Sequence, residues 1–195
     1  KSCHAAMPER GADPIVAAAQ LIMALQTIPS RRLSPQESTV VSITQISGGE
    51  AINVLPDKVV LRGTFRCLNN QVRERVRGLI ESYVAAQPQV SDVEGKIAWY
   101  PGYPVTTNHP AEAQKVREVA SALLGESAVI WNGNPSMASE DFACMLEACP
   151  GAYFWIGTDG ETASKPLHNA GYDFNDELIP HGVALWTTLV ETLLA

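Results

Sequence analysis

Residues 38–68 read STVVSITQISGGEAINVLPDKVVLRGTFRCL. The first ten are rich in β-branched side chains. Val41, Ile43 and Gln45 alternate against Val40, Ser42, Thr44 and Ile46, and the run closes on Gly48-Gly49, which predicts a strand followed by a turn. AINVLPD then leads into a second strand expected from about Lys58 to Cys67. Along it Arg62, Thr64 and Arg66 alternate as on the solvated face of an antiparallel sheet.

Working outward, PIVAAAQLIMALQTI (residues 14–28) puts Ile15, Ala18, Ala19, Ile22 and Leu25 at helical spacing, with Asp13 as N-cap and Pro14 at the first helical position. On the other side, NQVRERVRGLIESYVAA (residues 70–86) sets Val72, Val76, Leu79, Ile80 and Val84 on one face and charges opposite, a second helix capped by Asn69 or Asn70. VEGKIAWYPGYP (residues 93–104) supplies a last strand, and Lys1-Ser2-Cys3-His4 reads as the tail of a first strand already under way. The order strand, helix, strand, strand, helix, strand is that of a ferredoxin-like βαββαβ domain, a four-stranded antiparallel sheet with two helices on one face.

Pro101, Pro104 and Pro110 break the pattern, which places a boundary near Pro104 and divides the chain into residues 1–104 and 105–195. The second part reads as helix (111–125), strand SAVIW (127–131), polar loop, helix from SEDFACMLEA (139–148), strand GAYFWIG (151–157), the loop of His168, and a closing helix (180–195). This is an α/β pattern with few strands for a sheet of that class.

A net charge of -7, with Arg31-Arg32 the longest basic block, argues against nucleic acid or anionic lipid as partners. No apolar run is long enough to span a membrane and no export leader is recognisable. Four cysteines without C-x-x-C spacing are expected to be reduced thiols in a cytoplasmic protein.

His168 falls after an expected strand, where open α/β sheets gather ligands, and fits equally a surface histidine bonded to a backbone carbonyl. Ser139, Glu140 and Asp141 fit a helix cap with acidic residues at the positive helix end, or a carboxylate lining a cleft. His4 sits among small residues that permit close approach to a substrate, and equally suits a strand end. Asn53 suits a turn, Arg66 a solvated sheet face, and His109 and His181 helix starts.

Five segments then act together. HAAMPERGADPIVAAAQLIMALQTI (4–28), GGEAINVLPDKVVLRGTFR (48–66), PSMASEDF (135–142), GAYFWIG (151–157) and LHNAGYDFND (167–176) resemble, in order, the lid domain and C-terminal catalytic segments of the hippurate hydrolase and auxin-conjugate hydrolase branch of the aminoacylase and carboxypeptidase metallohydrolases. The resemblance implies an α/β chain: a ferredoxin-like lid that forms a homodimer, followed by the C-terminal part of an interrupted zinc-hydrolase domain, with Lys1 inside the first lid strand. It implies hydrolysis of the amide bond of an N-acyl amino acid at a centre of two divalent metal ions, zinc or manganese. By the same resemblance His168 is a metal ligand, His4 and Asn53 act at the substrate carbonyl, Arg66 holds the substrate carboxylate, and Glu140 lies among the substrate-binding groups. Cys3 stands where the family usually has glycine, and Ala138-Ser139 where it commonly has Gly-Ala.

The sequence contains no Gly-His, no His-x-Asp and no Glu-Glu, the strings in which the family carries its other ligands and its base. The partners of His168 are therefore expected outside this chain, and the chain alone is expected to be inactive. A non-catalytic ferredoxin-like binding or dimerisation module, or a degenerate homologue, is the alternative.

Overall fold

The computed structural model describes residues 1–158, 165 and 167–194; Asp159 to Ser164 and Pro166, in the stretch before His168, and Ala195 lie outside the described residues. The chain forms two compact units, Lys1–Val105 with Pro135–Ala138, and Thr106–Asn134 with Ser139–Ala195.

In the first unit, helix α1 (Pro14–Thr27) starts as its sequence dictates. The Asp13 carboxylate accepts from the Ile15 and Val16 amides at 2.8 and 3.2 Å, and Pro14 occupies the first turn. Strands β2 (Thr39–Ser47) and β4 (Val60–Cys67) pair antiparallel, from Thr39 opposite Cys67 to Ser47 opposite Val60. Thr44 is the extra residue of a β-bulge, since Ile43 faces Gly63 while Gln45 faces Arg62. Gly63 is required there because a Cβ would run into the Ser42 carbonyl oxygen.

Helix α2 (Asn70–Ala85) is capped by Asn69, whose side chain accepts from the Gln71 and Val72 amides at 2.7 and 3.3 Å. The predicted faces of β2 and α2 meet α1 in one core, but the face predicted for α1 is only partly the buried one: Ile15 and Ala19 are exposed, while Ala17, Ala18 and Leu25 are buried. Leu25, Ile28, Val41, Val72 and Val76 are buried, with Ile43, Phe65, Leu79 and Ile80 packed around them.

The mixed helix and strand architecture is as expected, and the sheets are smaller. β1 (Cys3–His4) pairs with β3 (Val54–Leu55), within the segment expected only to connect two strands, so the described residues form two two-stranded sheets in place of one of four. Residues 93–104, expected as the last strand, make no ladder. After the short helix α3 (Gln87–Ser91), side chains hold this segment instead: the Trp99 indole donates to Glu81 at 2.9 Å, lies edge-on to Phe65 at 5.8 Å, and is covered by the Arg77 guanidinium at 5.3 Å.

The second unit contains α4 (Pro110–Leu124), α5 (Phe142–Ala148) and α6 (Leu178–Leu194). Val119 and Ala120 of α4 pack on Leu185 and Leu189 of α6, with Val116, Val129 and Phe154 at the margin. Neither 127–131 nor 151–157 forms the expected strand. The backbone of 151–153 is paired by side chains: the Asn108 carboxamide accepts from the Tyr153 amide at 2.7 Å and donates to its carbonyl at 2.8 Å, and the His109 imidazole accepts from the Gly151 amide at 3.2 Å. His109 thus opens α4 as expected while its ring serves a different segment, and His181 lies inside α6 rather than at its start. Ile179, Val183, Trp186, Val190 and Leu193, spaced alternately four and three residues apart, form a second and exposed apolar stripe on α6.

Ile28→Ala removes a side chain with no solvent exposure and is expected to lower the unfolding free energy by about 2–5 kcal/mol. Ile52→Ala, at a fully exposed position, is expected to stay within about 0.5 kcal/mol. Urea denaturation of both variants measures this, and equal effects would contradict a core centred on Ile28.

Candidate functional site

In the first unit the β1–β3 pairing brings His4 and Asn53 together. His4 lies opposite Val54, and the next amide, Ala5, donates to the Asn53 carbonyl at 2.9 Å. The His4 Nδ1 accepts from the Ala6 amide at 3.1 Å. An Nδ1 that accepts leaves the proton of the neutral ring on Nε2, so the imidazole presents a donor there. Both residues are exposed. Beside them lies an open cavity of about 570 Å³ whose wall includes Ala5, Ala51, Ile52 and Val54, the neighbours of His4 and Asn53, together with Asp13 and Glu50.

Arg66 belongs to the other sheet, opposite Val40 on the β2–β4 ladder. Strand alternation puts it on the face away from Phe65 and Cys67, with Arg62 and Thr64, as the sequence pattern required. Arg66 is half-buried, and its guanidinium makes no hydrogen bond or ion pair with another described residue.

In the second unit His168 is exposed and has φ 69°, in the left-handed region that a histidine adopts at a cost. The following turn is closed by the Asn169 side chain, which accepts from the Gly171 amide at 2.9 Å, and by the Tyr172 amide donating to the Asn169 carbonyl at 2.9 Å. Among the described residues no three His, Cys, Asp or Glu side chains are grouped so as to hold a metal ion. His168 therefore belongs to no such group among them, and the described residues by themselves do not fit a two-metal centre.

Glu140 is the most constrained of the expected site residues. Its Oε1 accepts from the Phe142 amide at 3.2 Å and its Oε2 from the Tyr153 hydroxyl at 3.0 Å. Ser139 does not cap α5. Asp141 occupies the cap position without a side-chain capping bond, and the Glu140 carboxylate serves the first helical amide instead. The Phe142 amide first, and then the Tyr153 hydroxyl, hold the Glu140 carboxyl below the usual glutamate range. Burial first, and the Glu140 carboxylate second, push the Tyr153 hydroxyl up. Both shifts favour one arrangement, a neutral phenol donating to an ionised carboxylate.

Sequence reasoning missed Tyr153 and Asn108. The available signal was a tyrosine among apolar residues in GAYFWIG, since a partly buried phenol needs a partner for its hydroxyl.

Residues 1–91 match the peptidase dimerisation domain. The chain is 38% identical over 164 residues to an N-acetyl-L-cysteine deacetylase of Bacillus subtilis, covering 83% of this chain and 38% of that protein. It is 37% identical over 186 residues to a hippurate hydrolase of Campylobacter jejuni, covering 95% of this chain and 48% of that protein. Among solved structures it is similar to the Bacillus subtilis YXEP protein, a dinuclear metal binding peptidase from the M20 family, with a TM-score of 0.76, 25% identity, and coverage of 95% of this chain and 47% of that one. The chain thus spans less than half of the length of these relatives.

The lowered Glu140 value stabilises the fold fully above the ordinary 4.5, and this contribution is lost as pH falls through the lowered value in the folded chain. The raised Tyr153 value acts the other way, contributing below the ordinary 10.0 and being lost as pH rises through the raised value. Urea unfolding across the acid range is expected to show a shallower loss of stability in Glu140→Gln than in the unsubstituted chain, and superimposable acid limbs would contradict the Glu140 bonding described above.

Proposed function

We propose, from the match of residues 1–91 to the peptidase dimerisation domain, that the chain is the lid and C-terminal catalytic segment of a metal-dependent amidohydrolase acting on N-acyl amino acids. The observation that carries this reading is the juxtaposition of His4 and Asn53 at the end of the β1–β3 ladder, with Nδ1 of His4 engaged by Ala6. In this reading the His4 Nε2–H and the Asn53 carboxamide donate to the substrate carbonyl oxygen, where negative charge grows as the amide carbon becomes tetrahedral. Arg66, with no carboxylate partner among the described residues, takes the carboxylate of the amino-acid half through its planar fork. His168 would contribute one imidazole to a centre of two zinc or manganese ions, which would supply an activated water. The remaining ligands and the base come from outside the described residues.

Two further observations support a larger assembly. β2 is paired on one edge only among the described residues, which suits strand addition by a second copy and hence a homodimer through the lid. The exposed stripe on α6 suits packing within a larger α/β domain of which the second unit is one part. No helix of the described residues is long and apolar enough to cross a membrane, and the four free cysteines suit a cytoplasmic location. A second reading, a dimerisation module without catalysis, is favoured by the lack of a metal-binding group among the described residues.

The test is hydrolysis of N-benzoylglycine with added Zn²⁺ or Mn²⁺, by the 195-residue chain and by the protein extended upstream in its coding sequence. The extended protein is expected to turn over substrate and the chain alone is not. Arg66→Ala in the extended protein is expected to raise KM by about 10- to 100-fold. An inactive extended protein that still dimerises would establish the module reading, and turnover by the chain alone would refute the dependence on further ligands.

A further inference from the structure

Asn132-Gly133 is the one asparagine–glycine pair in the chain. An asparagine carboxamide can be attacked by the main-chain nitrogen of the residue that follows it. Three obstacles hold that reaction back: a side chain that crowds the attacking nitrogen, a hydrogen bond on that nitrogen, and a hydrogen bond on the carboxamide. At Asn132 none of the three applies. Gly133 has no side chain, and neither its amide nor the Asn132 carboxamide bonds to a described residue. No helix or ladder holds the pair, and the chain from Trp131 to Ser136 is exposed throughout.

The other asparagines each meet an obstacle. Asn69, Asn169 and Asn175 use their side-chain oxygens to accept from the Gln71, Gly171 and Glu177 amides. Asn108 is engaged at both ends of its carboxamide. After Asn53 and Asn70, the Val54 and Gln71 amides donate elsewhere and carry side chains. Asn134 precedes Pro135, whose nitrogen has no proton to lose.

We propose that Asn132 is a self-modification site, converted in the folded chain and without an enzyme to a mixture of aspartate and isoaspartate, ahead of the other asparagines. The Gly133 nitrogen gives up its proton to solvent and bonds to Cγ of Asn132. The Cγ–Nδ2 bond breaks, and the departing nitrogen takes a proton from water and leaves as ammonia. Closing the ring swings the Gly133 nitrogen towards Cγ, a rotation that breaks no hydrogen bond. Water then opens the five-membered imide at either of its carbonyl carbons. Opening at Cγ yields aspartate, and opening at the main-chain carbon yields isoaspartate, with the backbone rerouted through Cβ and Cγ. Nothing is oxidised or reduced, and water is the sole co-reactant. Asn132 has φ 54°, in the left-handed region that an L residue occupies at a cost. The isoaspartyl product has an extra methylene in its main chain and escapes that constraint. Either product adds one negative charge to the formal -7. The charge arises next in sequence to Trp131, whose ring the Arg117 guanidinium covers at 5.0 Å. The reaction needs neither a metal nor a substrate, so it stands apart from the amidohydrolase reading.

Incubating the 195-residue chain at physiological temperature, in neutral and mildly alkaline buffer and in parallel in urea, tests this. The readout is peptide mapping with fragmentation that separates aspartate from isoaspartate. Product is expected first at residue 132, with isoaspartate in excess and a rate that rises with pH, because the nitrogen must lose its proton to attack. The rate in the folded chain is expected to lie within about threefold of that in urea, since the fold leaves the pair open. Gly133→Ala adds a methyl that meets only Ile130, at 3.6 Å. It is expected to slow the reaction roughly tenfold, in buffer and in urea alike, by crowding the nitrogen and narrowing the backbone freedom of the pair. Survival of Asn132 in the folded chain while the urea sample reacts would overturn the proposal, because the native loop would then shield the pair. Aspartate without isoaspartate, the mark of direct hydrolysis, or an unchanged rate in Gly133→Ala would overturn it as well.

Discussion

Thr44 has no partner across the β2–β4 ladder, and the arrangement of the first unit follows from that one extra residue. Side chains in a strand alternate with a period of two, so an inserted residue exchanges the faces beyond it. Before the bulge, Val41 and Ile43 share a face with Phe65 and meet Ile28, just past the end of α1, and Val76 of α2. Beyond it, Ile46 takes the same face as Leu61, opposite which it pairs. β4 carries no bulge and keeps Arg62, Thr64 and Arg66 together on the other face throughout. The position of Arg66 is thus a product of the same ladder that builds the core, and Gly63 is the residue whose missing side chain lets the two backbones approach.

Whatever depends on neighbours along the chain was legible in the sequence. The apolar face of α2, the Asp13 cap and the β2 and β4 segments come from spacing and local hydrogen-bonding chemistry, and the structure contains them. Asn69 and Asn70 could not be told apart as caps until the structure put the Asn69 carboxamide oxygen within reach of the Gln71 and Val72 amides.

What depends on a distant partner was not legible. Residues 93–104, 127–131 and 151–157 have the composition of strands, but a ladder requires a second strand alongside, and no local pattern specifies one. The indole of Trp99 and the side chains of Asn108 and His109 do that work instead. The site divides in the same way. His4, Asn53, Arg66, Glu140 and His168 were each visible as residues with chemistry, and the resemblance to a hydrolase family gave them roles. That His4 and Asn53 meet is a consequence of β1 pairing with β3. Glu140 was readable as an acidic residue near a helix start, whereas its bond to Tyr153 joins two positions that only tertiary folding brings together.

Two side chains standing in for a strand give the second unit an unusual chemical vulnerability. A backbone ladder cannot be edited by side-chain chemistry, but the Asn108 carboxamide can lose its nitrogen by spontaneous deamidation. The acceptor toward the Tyr153 amide would survive, while the donor toward the Tyr153 carbonyl would become a negatively charged oxygen facing another oxygen. Deamidation of this one amide would therefore reverse the sign of an interaction without any change in the gene.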